Sequence, residues 1–156
     1  MNAFFEHHQD SIRFGYRCFD RILLNGVIQP FQQPERVVGF FGTCAGAILL
    51  AKEIDNPQQL GLGAIDIGIR RNAYGRQIDG SIREGIFCGS PIEMVFIRAP
   101  KIERLGPGVE VLATEGNDPV VVRQGRTMVS TFHPELSDDP RVHESFLDLL
   151  GTNRSS

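Results

Sequence analysis

Two spacings of apolar residues run through this chain, and they assign most of its elements. Over Tyr16 to Val27, Phe19, Ile22, Leu23 and Gly26 fall at i, i+3, i+4 and i+7, which predicts an amphipathic helix closed by the turn-forming stretch from Gly26 to Pro34. Val37 to Phe41 is a continuous apolar run with β-branched residues, the pattern of a strand buried on both faces. A sharp turn at Gly42-Thr-Cys-Ala-Gly46 follows, and Ala45 to Ile54 is expected to resume as a helix. Beyond Gly61 short β-type runs dominate: Ala64 to Ile69, Glu93 to Ile97, Val109 to Ala113, Pro119 to Arg123 and Thr127 to Phe132. Gly, Pro and Asn separate them, and two look like hairpins. The last helix is predicted with Asp139 as N-cap, Pro140 at its first position, Val142, Phe146, Leu149 and Leu150 as its apolar stripe and Gly151 as its stop. Thr152 to Ser156 is expected to fray.

No linker, repeat or low-complexity tract interrupts the pattern, so residues 1–156 are read as one domain. With 41% hydrophobic and 22% charged residues, a chain of 156 residues can hold a single core without disulfides or a structural metal. The net charge of -3 comes with no basic block, which argues against nucleic acid as a partner. No apolar run approaches the roughly 20 residues of a membrane span, and Met1 to Asp10 has no signal-peptide core, so no membrane partner is expected and the cytoplasm is the expected location. The cysteines at 18, 44 and 88 form no Cys-x-x-Cys pair, which suggests a reducing compartment and no zinc knuckle. Glu6-His7-His8 lacks a further ligand at suitable spacing, so no metal is expected.

Gly42-Thr43-Cys44-Ala45-Gly46 has the spacing of a nucleophile elbow, in which small residues let a strand turn sharply into a helix and push the central side chain into the open. A thiol there would sit at a helix N-terminus, and the Ala45 N–H would point at an oxyanion formed by attack on a carbonyl. The plain alternative is a small buried cysteine in a glycine-rich turn. His133-Pro134-Glu135 follows the run ending at Phe132, so an imidazole and a carboxylate able to orient it would lie at a strand end; the alternative is an ordinary turn. Cys18 and Cys88 read as core thiols, and His143, off the apolar stripe of its helix, as an exposed residue.

Taken in order, Phe41-Gly-Thr-Cys-Ala-Gly46 with Leu49-Leu-Ala-Lys52, Arg71-Asn72 with Gly75-Arg-Gln-Ile-Asp79, Phe96-Ile-Arg-Ala-Pro100, Gly108-Val-Glu-Val-Leu-Ala113 and Ser130-Thr-Phe-His-Pro-Glu-Leu136 resemble one family. It is the glutaminase subunit of pyridoxal 5'-phosphate synthase, a class I glutamine amidotransferase, and the resemblance covers about Gly26 to Leu150. The resemblance implies an α/β, flavodoxin-like, three-layer domain with a mixed central sheet. It further implies hydrolysis of L-glutamine to glutamate and ammonia, ammonia transfer to a separate synthase subunit, and no cofactor. Cys44 would be nucleophile, His133 base, Glu135 its orienter and Ala45 the oxyanion donor, with Arg71, Ile97 and Arg98 holding glutamine.

The family's first strand and its Pro-Gly-Gly-Glu-Ser segment have no recognisable counterpart. The slot of the latter falls near Ile12-Arg13-Phe14-Gly15, and the acidic end of another family segment is lost in Gln77-Ile-Asp-Gly-Ser-Ile82. Residues 1–36 are therefore expected to be a truncated or divergent start to the domain. Two further readings stay open on these grounds: a catalytically impaired subunit that only binds the synthase, and a cysteine hydrolase acting on another amide.

Overall fold

The computed structural model describes residues 38–71 and 80–150. The expected helix over Tyr16 to Val27, the Glu6-His7-His8 cluster, Cys18, Asn72, the segment from Gly75 to Asp79, the Gly151 stop and the tail from Thr152 lie outside them. Two sheets form among the described residues. One is six-stranded, in the order β1 (Phe40–Thr43), β10 (Thr127–Ser130), β9 (Asp118–Gln124), β8 (Glu110–Glu115), β5 (Ser81–Phe87), β6 (Ser90–Phe96). The other is four-stranded, in the order β3 (Gln59–Leu60), β2 (Ala51–Asp55), β4 (Ile65–Arg70), β7 (Lys101–Leu105). Helices α1 (Ala45–Leu50) and α2 (Arg141–Leu149) complete the described set, with one 3-10 turn over Pro134–Leu136.

Alternation along the strands explains how the layers stack. In β10, Met128 and Val129 point to opposite faces and enter different cores, and Phe41 and Phe40 of β1 divide in the same way. One core joins Phe87, Met94, Phe96 and Phe132 to Val142 and Phe146 of α2. The other joins Val122 and Val129 to Ala47 and Leu50 of α1 and to Ile65, Ile67 and Ile69 of β4. The six-stranded sheet is thus covered by α2 on one face and by α1 with the four-stranded sheet on the other. Both sheets are mixed: β1 pairs with β10 and β2 with β4 in parallel, while the other pairings are antiparallel.

Several elements differ from the sequence expectation. The helix expected through Ile54 stops at Leu50, where Ala51 turns to extended backbone at ψ 154° and pairs with Ile65. A bulge between Ala51 and Glu53 puts two buried residues, Ala51 and Ile54, three apart, so a strand here imitates helical spacing. The strand expected at Val37 to Phe41 runs Phe40–Thr43, and the one expected through Phe132 ends at Ser130. Strands β5 and β7 have no counterpart among the expected runs, because charged residues break their apolar alternation. Cys88, expected in the core, is exposed. With φ 48° it forms, with Gly89 at φ 82°, the two-residue turn that joins β5 to β6 with the twist a tight hairpin requires. The last helix begins at Arg141 with Pro140, expected at its first position, as the N-cap, so Asp139, expected as the N-cap, stands one residue before it; its carboxylate accepts the Arg141 N–H at 3.0 Å.

Candidate active site

Strand β1 delivers Cys44 to the start of α1 through a turn that only small residues permit. A side chain at Gly42 would meet the Gly46 carbonyl group at 2.6 Å and Leu50 Cδ1 at 2.8 Å, so strand and helix could not approach as they do. Cys44 sits at φ 47°, ψ -102°, a sparsely populated conformation for a residue with a side chain. Its own N–H continues the β1–β10 ladder by donating to the Ser130 carbonyl at 2.8 Å, and its carbonyl accepts the Ile48 N–H at 3.2 Å. The N–H of Ala45, first residue of α1, has no partner within its helix. A Cβ built on Gly46 meets nothing within 4 Å, so the turn is open on that side among the described residues.

The Cys44 thiol donates to the Ile97 carbonyl at 3.6 Å. Ile97 ends the run from β6, and Arg98 after it takes φ 47°, which turns the chain toward β7. From the other side comes His133, whose N–H donates to the Val95 carbonyl at 2.8 Å and so ties it to the end of β6. Its Nδ1 lies 2.7 Å from Glu135 Oε1, an approach that the short turn over Pro134 enforces. Hydrogen bonding to Cys44, then to Glu135, pushes the imidazole up to about 10 from 6.5, against the opposing effect of burial. Burial pushes the Glu135 carboxyl up, but hydrogen bonds from His133 and from its own backbone, with the charges of His133 and His143, outweigh it and hold the carboxyl below its ordinary range. Cys44, His133 and Glu135 therefore form one electrostatically linked row.

The backbones of Arg71 and Arg98 are placed by the pairing of β4 with β7. Arg70 pairs with Lys101, so Arg71, just past β4, and Arg98, just before β7, lie at one end of that strand pair, the end where the Ile97 carbonyl meets the thiol. Arg71 is pinned there: its N–H donates to the Asp55 carbonyl at 3.0 Å and its carbonyl accepts from Asn56 Nδ2 at 3.2 Å. Sequence reasoning misplaced one residue near the site. His143, expected to be exposed, is half-buried with its ring edge-on to Phe41, centroids 5.8 Å apart. The spacing His143, Phe146, Leu150 is i, i+3, i+7, a helical face that the reading centred on Val142 passed over. Among the described residues no group of three His, Cys, Asp or Glu could hold a metal, and no helix is long and apolar enough to cross a membrane.

Known proteins match the chain that carries these residues. The model of the SNO glutamine amidotransferase family matches residues 18–151. The chain belongs to that family. Among its relatives, the pyridoxal 5'-phosphate synthase subunit PdxT of Koribacter versatilis is 58% identical over 117 residues, which is 74% of this chain and 61% of the relative. A protein of the same name from Thermus thermophilus is 52% identical over 120 residues, 75% of this chain and 62% of the relative. A solved structure described as a glutamine amidotransferase is 52% identical and superposes with a TM-score of 0.68, covering 73% of this chain and 61% of that one. The fold is accordingly the α/β, flavodoxin-like one of class I glutamine amidotransferases. This SNO-family chain spans about three-fifths of the length of the curated relatives it matches.

Proposed function

We propose that this chain acts as one glutamine amidotransferase domain, hydrolysing L-glutamine to glutamate and ammonia and passing the ammonia to the synthase subunit of pyridoxal 5'-phosphate synthase. The observation that carries the reading is the linkage of His133 to both Cys44 and Glu135. An imidazolium beside a cysteine sulfur favours a thiolate nucleophile. Cys44 attacks the side-chain carboxamide carbon of glutamine, and the oxygen takes up negative charge that the Ala45 N–H is placed to meet. His133 gives its proton to the departing nitrogen, which leaves as ammonia and a thioester remains. Water then attacks the thioester with His133 as base, releasing glutamate and restoring the thiolate–imidazolium pair. Glu135 keeps the ring aimed and its charge matched throughout. Arg71 and Arg98 supply cationic partners for the α-carboxylate of glutamine, and the Ile97 carbonyl, now facing the thiol, accepts from the substrate. A cytoplasmic location, which is reducing, would keep such a cysteine from oxidation.

The test is glutamate and ammonia release from L-glutamine by the chain mixed with the synthase subunit, together with mass mapping after exposure to diazo-oxo-norleucine. Turnover with label on Cys44 in strong preference to Cys18 and Cys88 is expected. Equal labelling of the three cysteines with no turnover would refute the reading.

A further inference from the structure

The Phe132–His133 peptide is held from both sides. Its carbonyl accepts from Ser130 Oγ at 2.9 Å, and its N–H donates to the Val95 carbonyl at 2.8 Å. The two groups of a trans peptide point in opposite directions from one rigid plane, so a plane tied at both ends has little freedom to rotate, and the Cα of His133 follows it. The hydroxyl on the carbonyl side belongs to a residue that is itself fixed. Ser130 is fully buried at the end of β10, paired with Thr43 of β1 on one side and with Val121 of β9 on the other. Its own carbonyl accepts the Cys44 N–H at 2.8 Å. One buried residue thus reaches the nucleophile and the base through two different atoms. Thr131, next in the chain and also buried, sets the contrast: its hydroxyl oxygen has no hydrogen-bond partner among the described residues.

We infer that Ser130 is a positioning residue for the proposed reaction: its carbonyl sets the backbone of Cys44 and its hydroxyl sets the His133 peptide, so that the spacing of thiol and imidazole is fixed from one point in the core. The inference rests on the proposed roles of Cys44 and His133 and adds to them a residue that touches no reacting atom. Any residue at this position could offer the backbone carbonyl to Cys44. The hydroxyl is the part that depends on serine. Without it the Val95 bond alone holds the peptide, which is then free to swing about that single contact. Displacing a reacting group by about 1 Å is enough to cost on the order of 10²-fold in rate, so even a partial swing of His133 is felt in turnover.

Three variants of similar shape test it. Ser130→Ala removes the hydroxyl, Ser130→Cys replaces it with a weaker donor, and Thr131→Val removes the neighbouring hydroxyl that ties nothing among the described residues. Glutamate release by each chain mixed with the synthase subunit gives kcat and KM. NMR titration of the His133 ring in the folded chain reads its coupling to Cys44 and Glu135 without substrate. If Ser130 positions His133, Ser130→Ala loses about 10-fold or more in kcat with KM for glutamine within about twofold of the parent, its ring titrates well below the parent's, and Ser130→Cys falls between the two in both readouts. Thr131→Val stays at the parent values. A Ser130→Ala chain that matches the parent in both readouts, or that only melts earlier, overturns the inference. So does Thr131→Val impaired as much as Ser130→Ala, which would mark a general disturbance of the core. If Ser130→Ala does not fold, Ser130→Cys decides on the same two readouts. Should the parent leave glutamine intact, the proposed glutaminase activity fails while the ring titration still decides the role of Ser130.

Discussion

The outer face of the four-stranded sheet and the end of the six-stranded sheet both collect charges at hydrogen-bond distance, yet they use them in opposite ways. On the four-stranded sheet Arg104 reaches Asp66 at 2.7 Å and Glu53 at 2.9 Å, Lys52 reaches Asp66 at 3.3 Å, and Arg70 reaches Glu103 at 3.1 Å. Each charge there finds an opposite one, led for Asp66 by Arg104, and water screens what is left. At the site Cys44, His133 and Glu135 are half-buried and unevenly matched. His133 is pushed far from its ordinary value, Cys44 is held in a strained conformation, and one oxygen of Glu135 lacks a donor among the described residues. Charges that satisfy one another on a wet surface hold a sheet together weakly. Charges with unmet demands, shielded from water, are the ones able to respond to a substrate.

Removing a member of the row should give the largest effect. His133→Ala is expected to lower glutamine hydrolysis by at least about 10³-fold while the chain stays folded, measured as glutamate release. Stability should follow pH through the same ring. Because the folded His133 value is raised to about 10 from 6.5, its stabilising contribution is complete below about 6.5 and is lost as pH rises through about 10. Thermal unfolding followed between pH 7 and 10 should show the parent losing stability with rising pH. In Cys44→Ala, which removes the first cause of the shift, NMR titration of the His133 ring should place its value well below that of the parent. An unchanged titration would mean that the sulfur and the ring are not coupled in solution.

The next contrast sets arginines from the two regions against each other. Arg71→Ala and Arg98→Ala should each weaken glutamine binding by about 1.5–3 kcal/mol, the loss expected for a hydrogen bond to a charged group, with little change in melting temperature. Calorimetric titration with glutamine on a Cys44→Ala background reads this without turnover. A lowered melting temperature with unchanged affinity would assign these arginines to the framework, alongside Arg104.

The elbow glycines separate packing from openness in the same way. Gly42→Ala drives a methyl into the backbone of Gly46 and is expected to cost about 1–3 kcal/mol of stability, since neither strand nor helix can yield cheaply. Gly46→Ala meets nothing within 4 Å among the described residues and should leave denaturant unfolding at or slightly above the parent midpoint. Any loss of activity in the second variant would then report on what occupies that space during turnover.

How far the sequence revealed all this depends on whether the information was local. The elbow and the His-Pro-Glu turn were legible because each is a short stretch whose chemistry and geometry are fixed by neighbours in sequence, and the structure brings Cys44, Ile97, His133 and Glu135 together. Strands with β-branched cores, such as Ile65–Arg70, were legible for the same reason. The bulged strand after Leu50 was not, because its pairing with β4 and not its own spacing decides its state. Strands β5 and β7 escaped because their apolar alternation is broken: Ser81 and Arg83 stand on the inward side of β5 while Ile82 and Ile86 are exposed, and Ile102 is the one buried apolar residue of β7. Cys88 was misjudged from residue type alone, and His143 because the stripe of α2 was centred on Val142 when Phe41 packs on the neighbouring face.

The smallest expected effect belongs to the surface network. Arg104→Ala removes two close ion pairs at once, those to Asp66 and Glu53. Both lie where water competes, so the melting temperature should barely move, and raising salt to screen the remaining pairs should move it equally little. Yet the network sits on β4, whose end carries Arg71, so it has a route to the site. If Arg104→Ala unfolds measurably earlier and also weakens glutamine binding, the exposed charges brace the strand that presents Arg71, and the two regions cease to be independent. If stability and binding both stay at the parent values, β4 is held by its isoleucines and backbone pairing, and the contrast between a self-satisfied surface and a strained site stands on that measurement.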